Sequence, residues 1–209
     1  HCPTYPMTHI TENHIELLTI ERLEALGYEY IYGPDIAPDS ETPERSSFEQ
    51  VLLIDRLRQA IYKINPHIDA NAQEEAIREI QRIASPELIA NNETFHRLLT
   101  EGIPVAKQKD GEERGDRVWL IDFGNPYNNE FLVVNQYTII ENGHNKRPDV
   151  LLFVNGIPLV LMELKNAADE NASIRSAYKQ VDTYKSIIPT LFTYNSFVIL
   201  SDALEARTG

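Results

Sequence analysis

Residues 144–184 read HNKRPDVLLFVNGIPLVLMELKNAADENASIRSAYKQVDTY. Two apolar runs flank Asn155-Gly156, the sequence mark of a β-hairpin. Each run carries one acid, Asp149 or Glu163, where a buried strand is expected to stay apolar. The register decides whether those acids meet. A two-residue turn pairs Val154 with Ile157 and therefore Asp149 with Met162, which leaves the acids on opposite faces. A three-residue loop with Gly156 in the left-handed conformation pairs Val154 with Pro158 and Asp149 with Glu163, their Cβ atoms roughly 4.5–5.5 Å apart. This second register is expected, because Pro158 needs a position that donates no ladder bond, in a looser turn or at a bulge.

Lys165 follows Glu163 by two residues, so strand alternation sets its ammonium on the same face while Leu164 packs into the opposite layer. Two carboxylates that close repel each other unless something compensates. Lys165 offsets part of the repulsion, and a hard divalent cation offsets the rest. Asp149, Glu163 and the backbone carbonyl of Leu164 form an all-oxygen ligand set suited to Mg²⁺ or Mn²⁺ and not to zinc. Phosphodiester hydrolysis is the chemistry such a set fits, since the metal activates water and a lysine orients or deprotonates it. A single E-x-K taken alone is better explained by a surface ion pair on an edge strand, with Asp149 capping a strand.

Outward from the hairpin, the chain divides by texture. Residues 7–102 read as helical, with Ile15, Leu18, Leu23 and Leu26 at helical spacing in Glu12–Leu26. Three further helices are predicted over Val51–Ile64, Asn71–Ile83 and Asn91–Thr100, with a short strand at residues 28–33 and a polar loop over Pro34–Ser47. Residues 103–209 read as strands: IPVAKQ, RVWLID, EFLVVNQYTIIE, the two hairpin runs and SFVILS. One helix, Ser173 to Ile187, interrupts them and is expected to end at Pro189, and no closing element is read in the last residues. Helices followed by a mixed, largely antiparallel sheet predict an α/β (α+β) fold in one domain over 7–209, with residues 1–6 a leader or an appended segment.

Composition narrows the class. The chain has 209 residues and a net charge of −13. Residues 1–116 hold 22 acids and 11 bases, residues 117–209 hold 10 and 8, and residues 144–185 hold five and six. The segment with the paired acids is thus the least acidic part, the face a polyanion can approach against a repelling overall field. Cys2 is the only cysteine, which excludes an internal disulfide and a cysteine metal site. No apolar run reaches the roughly 20 residues of a membrane span, and the N-terminus lacks a signal peptide's apolar core; a cytoplasmic protein without membrane contact is expected. No G-x-x-x-x-G-K-[ST] occurs, so no phosphate-cradling loop for ATP is expected in this chain.

RPDV followed by ELK resembles the PD-(D/E)xK nuclease motif. The longer run NKRPDVLLFVNGIPLVLMELKN, with NPYNNEFLVVNQ before it and AYKQVDTYK after it, is similar to the N-terminal domain of type I restriction enzyme endonuclease (R) subunits. GYEYIYG, NPHI and FHRLLTEGIPV extend the resemblance over almost the whole chain. It implies a restriction-endonuclease-like fold, a central mixed sheet flanked by helices. It also implies metal-binding catalytic acids at Asp149 and Glu163, a catalytic lysine at Lys165, and a Q-x-x-x-Y element at Gln180 and Tyr184 that holds a phosphate or the catalytic face. Gln180 and Tyr184 share a helical face, and the alternative reading is an ordinary helix boundary pair. An acid on the first helix often joins such sites, Glu16 or else Glu12, although glutamates in a first turn are commonly solvated. The implied partners are double-stranded DNA and the methyltransferase and specificity subunits of a restriction complex. ATP would enter only through motor domains of a longer subunit. The rival expectation is a silent nuclease-like module that docks the motor onto the methyltransferase core.

Overall fold

The computed structural model describes residues 11–109, 112–166, 173–202 and 205–209. Its first half holds α1 (Glu12–Ala25), β1 (Glu29–Tyr32), α2 (Ile54–Ile64), α3 (Ala70–Gln81) and α4 (Leu88–Glu101). There follow β2 (Ile103–Lys109), β3 (Glu112–Val118), β4 (Phe131–Asn135), β5 (Ile139–Glu141), β6 (His144–Lys146), β7 (Val150–Val154) and β8 (Ile157–Leu164). The chain continues through α5 (Ile174–Ile187), α6 (Pro189–Tyr194), β9 (Phe197–Ser201) and β10 (Ala206–Thr208). Side-chain caps start several helices: Thr11 accepts from the His14 amide for α1, Asp69 from Ala72 for α3 and Ser173 from Ser176 for α5.

Six strands form one mixed sheet in the order β1-β4-β7-β8-β9-β10, parallel at β1–β4 and β8–β9 and antiparallel elsewhere. The pairs β2–β3 and β5–β6 are separate ribbons. Alternation along the central strands sorts their side chains into two cores. Leu132, Val134, Leu151, Phe153 and Leu161 join residues of α2 to α6 in the larger one. Val133, Val150, Leu152, Val160 and Leu164 meet Ile15 and Ile20 of α1 in the smaller one. The sheet is therefore covered by helices on both faces, as expected for a strand set this apolar. Among the described residues no helix is long and apolar enough to cross a membrane.

The hairpin corrects one expectation. Its turn has two residues: Val154 pairs with Ile157, and Asn155 and Gly156 both have positive φ, 52° and 78°. The one-residue offset comes from a bulge, since Phe153 pairs with Pro158 but Leu152 with Val160, leaving Leu159 as the extra residue. The Leu159 carbonyl accepts from the Ser196 amide at 2.7 Å and from Asn195 Nδ2 at 3.1 Å. Beyond the bulge Val150 pairs with Met162, so continuing the register by one residue sets Asp149 across from Glu163. The tight turn follows from what it touches. The Leu53 amide donates to the Gly156 carbonyl at 2.9 Å, and a Cβ on Gly156 would lie 2.4 Å from the Leu53 carbonyl oxygen.

Other boundaries moved for local reasons. Residues 130–141 were expected as one strand, but Gln136 adopts φ 55° and splits them into β4 and β5. The strand expected at residues 117–122 lies earlier, at β3. Pro189 opens α6 instead of only ending α5, since a proline suits the first turn of a helix. Near the C-terminus, β10 adds an edge strand. In α1 the inward residues are Ile15, Glu16 and Ile20, whereas Leu18 and Leu26 are exposed. Cys2 lies outside the described residues.

Candidate active site

The start of β7 and the end of β8 meet at one end of the sheet. Asp149 Oδ2 accepts from the Leu164 amide at 2.7 Å, which ties the acid to the facing strand. Glu163 is fully buried, its Oε1 accepting from Lys165 Nζ at 2.9 Å. Its other oxygen, Oε2, is buried with no partner at full hydrogen-bond geometry, the Tyr184 hydroxyl making only a weak approach to the carboxylate. Leaving such an atom unpaired costs about 1–3 kcal/mol, more when it is charged, so the position calls for a further donor or a cation. Lys165 Nζ also lies 3.8 Å from Glu12 Oε1, and the Lys165 amide donates to Ser201 on β9.

Helices approach from both faces. From α5, Tyr184 is buried and its hydroxyl accepts from Gln180 Nε2 at 2.6 Å, one turn of helix away. From α1, Glu16 is only 6 % exposed, which corrects its reading as a solvated helix-surface residue. Its burial is tolerated because amides meet it: Asn135 Nδ2 donates to Oε1 at 2.6 Å, and Gln136 Nε2 lies 3.1 Å from each oxygen. Tyr30 in turn donates to Asn135 Oδ1 at 3.0 Å. Sequence reasoning missed Asn135, Gln136 and Tyr30. The available signal was the polar pair Asn135-Gln136 closing the apolar run FLVV, where strand continuation would want another apolar residue.

The electrostatics follow from crowding. Burial first, then the charge of Asp149, pushes the Glu163 carboxyl up to about 7, against the pull of Lys165. Asp149 is also raised, by burial foremost, with Glu16 and Glu12 adding and the Leu164 amide and Lys165 opposing. Burial works hardest on Lys165 and opposes its charge, yet the hydrogen bond to Glu163 and the surrounding carboxylates leave its pKa raised. Burial and the nearby Glu163 charge push the Tyr184 phenol up. Three acids, Glu12, Asp149 and Glu163, thus act on one lysine and Glu16 adds to the charge around Asp149, a surplus of negative charge of the kind that divalent cations offset.

The expected residues Asp149, Glu163, Lys165, Gln180, Tyr184, Glu16 and Glu12 all come to this end of the sheet. The residues fit a hard cation in one respect that does not depend on family: a buried carboxylate oxygen of Glu163 without a hydrogen-bond partner, across from a second carboxylate, Asp149. Among the described residues no three His, Cys, Asp or Glu side chains group closely enough to hold a metal by themselves. A cation on Asp149 and Glu163 would therefore complete its shell with backbone carbonyls and water, the habit of Mg²⁺.

Known proteins match most of the chain. Residues 9–209 match the family model described as type I restriction enzyme R protein N terminus. The type I restriction enzyme HindI endonuclease subunit of Haemophilus influenzae is 39% identical over 201 residues, covering 96% of this chain and 19% of that protein. The putative MjaIXP endonuclease subunit of Methanocaldococcus jannaschii is 33% identical over 198 residues, 93% of this chain and 19% of the relative. A second putative subunit of that archaeon, MjaVIIIP, is 28% identical over 86% of this chain. The chain therefore spans about a fifth of the length of the relatives it matches. With the family match running almost from end to end, the chain belongs to the type I restriction enzyme R protein N-terminal family.

Proposed function

We propose that this chain is a PD-(D/E)xK-type nuclease domain that hydrolyses phosphodiester bonds of double-stranded DNA with Mg²⁺ or Mn²⁺. Sequence choice and ATP-driven translocation would be supplied by other domains and by methyltransferase and specificity subunits. The observation that carries this reading is the fully buried Glu163. One of its oxygens is bonded to Lys165, the other has no partner, and the strand register brings it opposite Asp149. A purely structural carboxylate would be expected to satisfy both oxygens.

In this reading Asp149, Glu163 and the Leu164 carbonyl hold the cation. When bound, it supplies a water of lowered pKa and neutralises charge developing on the phosphate. Lys165 stays protonated at Nζ, held by Glu163, and orients the water and the departing charge. Gln180 fixes the Tyr184 hydroxyl by donating to it, which leaves the phenolic proton to point toward Glu163 or a phosphate oxygen. The Leu164 amide keeps Asp149 aimed along β8. The net charge of −13 repels free DNA, so cutting depends on delivery of the duplex by the rest of the assembly.

The test is Asp149→Ala and Lys165→Ala in the reconstituted restriction complex. Cleavage falls by several orders of magnitude while ATP hydrolysis and translocation persist. Lost assembly with the same substitutions would favour a docking module instead, and unchanged cleavage would end the nuclease reading.

A further inference from the structure

Glu16 reaches the site from α1 by way of residues with no role in the chemistry proposed above. Asn135 and Gln136, consecutive at the end of β4, give three amide contacts to its two oxygens at 2.6, 3.1 and 3.1 Å. The Tyr30 hydroxyl bonds Asn135 Oδ1 and so fixes which end of that carboxamide donates. Gln136 holds this place at φ 55°, a region that glycine, asparagine and aspartate enter more readily than glutamine. A backbone contact guards the same peptide: a Cβ on Gly33 would lie 2.5 Å from the Asn135 carbonyl and 2.9 Å from Gln136. A side chain kept in a disfavoured conformation, whose contact is with a buried carboxylate, points to function more readily than to packing. Glu16 lies one helical turn beyond Glu12, whose Oε1 is 3.8 Å from Lys165 Nζ, and Asn135 pairs with Val150, the residue after Asp149, so the held carboxylate sits at the end of the sheet where the site lies.

We propose that Asn135 and Gln136 are positioning residues that aim the Glu16 carboxylate at the cation-binding face, with Tyr30 and Gly33 fixing their orientation. The proposal rests on the nuclease reading and deepens it. The Glu16 carboxylate is the outer member of the acid set: amides meet both of its oxygens and fix its place, as the groups that support metal ligands commonly do. Packing alone does not ask for this arrangement. Glycine at 136 would relieve the backbone conformation and keep β4 intact, but it would leave Glu16 without two of its three contacts.

Gln136→Gly is therefore the informative substitution, made in the full-length subunit and assayed within its restriction complex. Mn²⁺ binding is followed by electron paramagnetic resonance and DNA cleavage is titrated with Mg²⁺. Gln136→Gly, and separately Asn135→Ala, weaken Mn²⁺ binding or slow cleavage by about 10-fold or more. The melting temperature of Gln136→Gly is measured alongside, since relief of the backbone conformation and loss of contacts to a buried carboxylate act in opposite directions, and Mn²⁺ binding and cleavage are read at a temperature where the variant is folded. Combined with Glu16→Gln, Gln136→Gly adds nothing to the loss that Glu16→Gln gives alone, because both act through one carboxylate. Wild-type Mn²⁺ affinity and wild-type cleavage in Gln136→Gly, or losses that multiply with Glu16→Gln, would overturn the proposal. Asp149→Ala separates the two failures. If it abolishes cleavage while Gln136→Gly and Asn135→Ala remain wild-type, only the positioning role falls; if Asp149→Ala itself cuts and binds Mn²⁺ normally, the nuclease reading and its refinement fall together.

Discussion

Asn195 Nδ2 donates to the Leu159 carbonyl at 3.1 Å, and Leu159 is the residue that β7 leaves without a partner between Pro158 and Val160. The same nitrogen also donates to the Phe197 carbonyl at 3.1 Å, so one buried carboxamide joins the bulge to the start of β9. Asn195→Ala removes both bonds where water enters poorly. Stability is expected to fall by about 1–3 kcal/mol in urea unfolding. In the assembled enzyme the cleavage rate falls as well, because the bulge sets the register of Glu163.

Gly156→Ala tests the tight turn. Its Cβ would collide with the Leu53 carbonyl at 2.4 Å and approach the Leu57 amide at 3.0 Å, at a φ of 78° that only glycine takes without strain. The expected loss is about 2–4 kcal/mol, from overpacking and strain together, read as a lowered urea midpoint with unchanged slope.

Without divalent metal, the site makes stability depend on pH in an unusual direction. The Glu163 carboxyl titrates near 4.5 in an unfolded chain and at about 7 in the folded one, so between those values the folded state binds more protons. The contribution of Glu163 is fully present below 4.5 and is lost as pH rises through 7. Asp149 is raised too and acts in the same sense. Glu163→Gln should flatten this slope in thermal melts measured across the window. Equal slopes in the two proteins would show that the crowding is relieved some other way.

Tyr184→Phe isolates one hydroxyl. The ring stays buried and the helix keeps its packing, while the bond from Gln180 is lost. Gln180 is half-buried and turns to solvent, so the melting temperature changes little. Cleavage slows by about 10-fold, the scale of a supporting contact near a metal site. A wild-type rate would remove Gln180 and Tyr184 from the chemistry.

The sequence was most legible where period and polarity agreed. The hairpin around Asn155-Gly156, helix α5 after Ser173 and the acids Asp149 and Glu163 were found because each broke or kept an apolar pattern visibly. What escaped depended on contacts distant in sequence. The two-residue turn is forced by the Leu53 backbone, a hundred residues upstream, and the compensating bulge is held by Asn195. Glu16 looked solvated because glutamates in a first turn usually are, and because the apolar spacing of α1 pointed inward at Leu18 and Leu26, which the structure exposes. Its burial depends on Asn135 and Gln136 at the end of a strand more than a hundred residues later. Strand β10 is three residues long and all exposed, too short to leave a periodic signal.

The bulge at Leu159 separates the two ends of one hairpin. At the turn, Gly156 answers to the helical layer through Leu53; at the open end, Asp149 and Glu163 answer to each other. One extra residue between them works as a vernier: it lets the turn take the two-residue form that the helical layer demands while the acids still come into line.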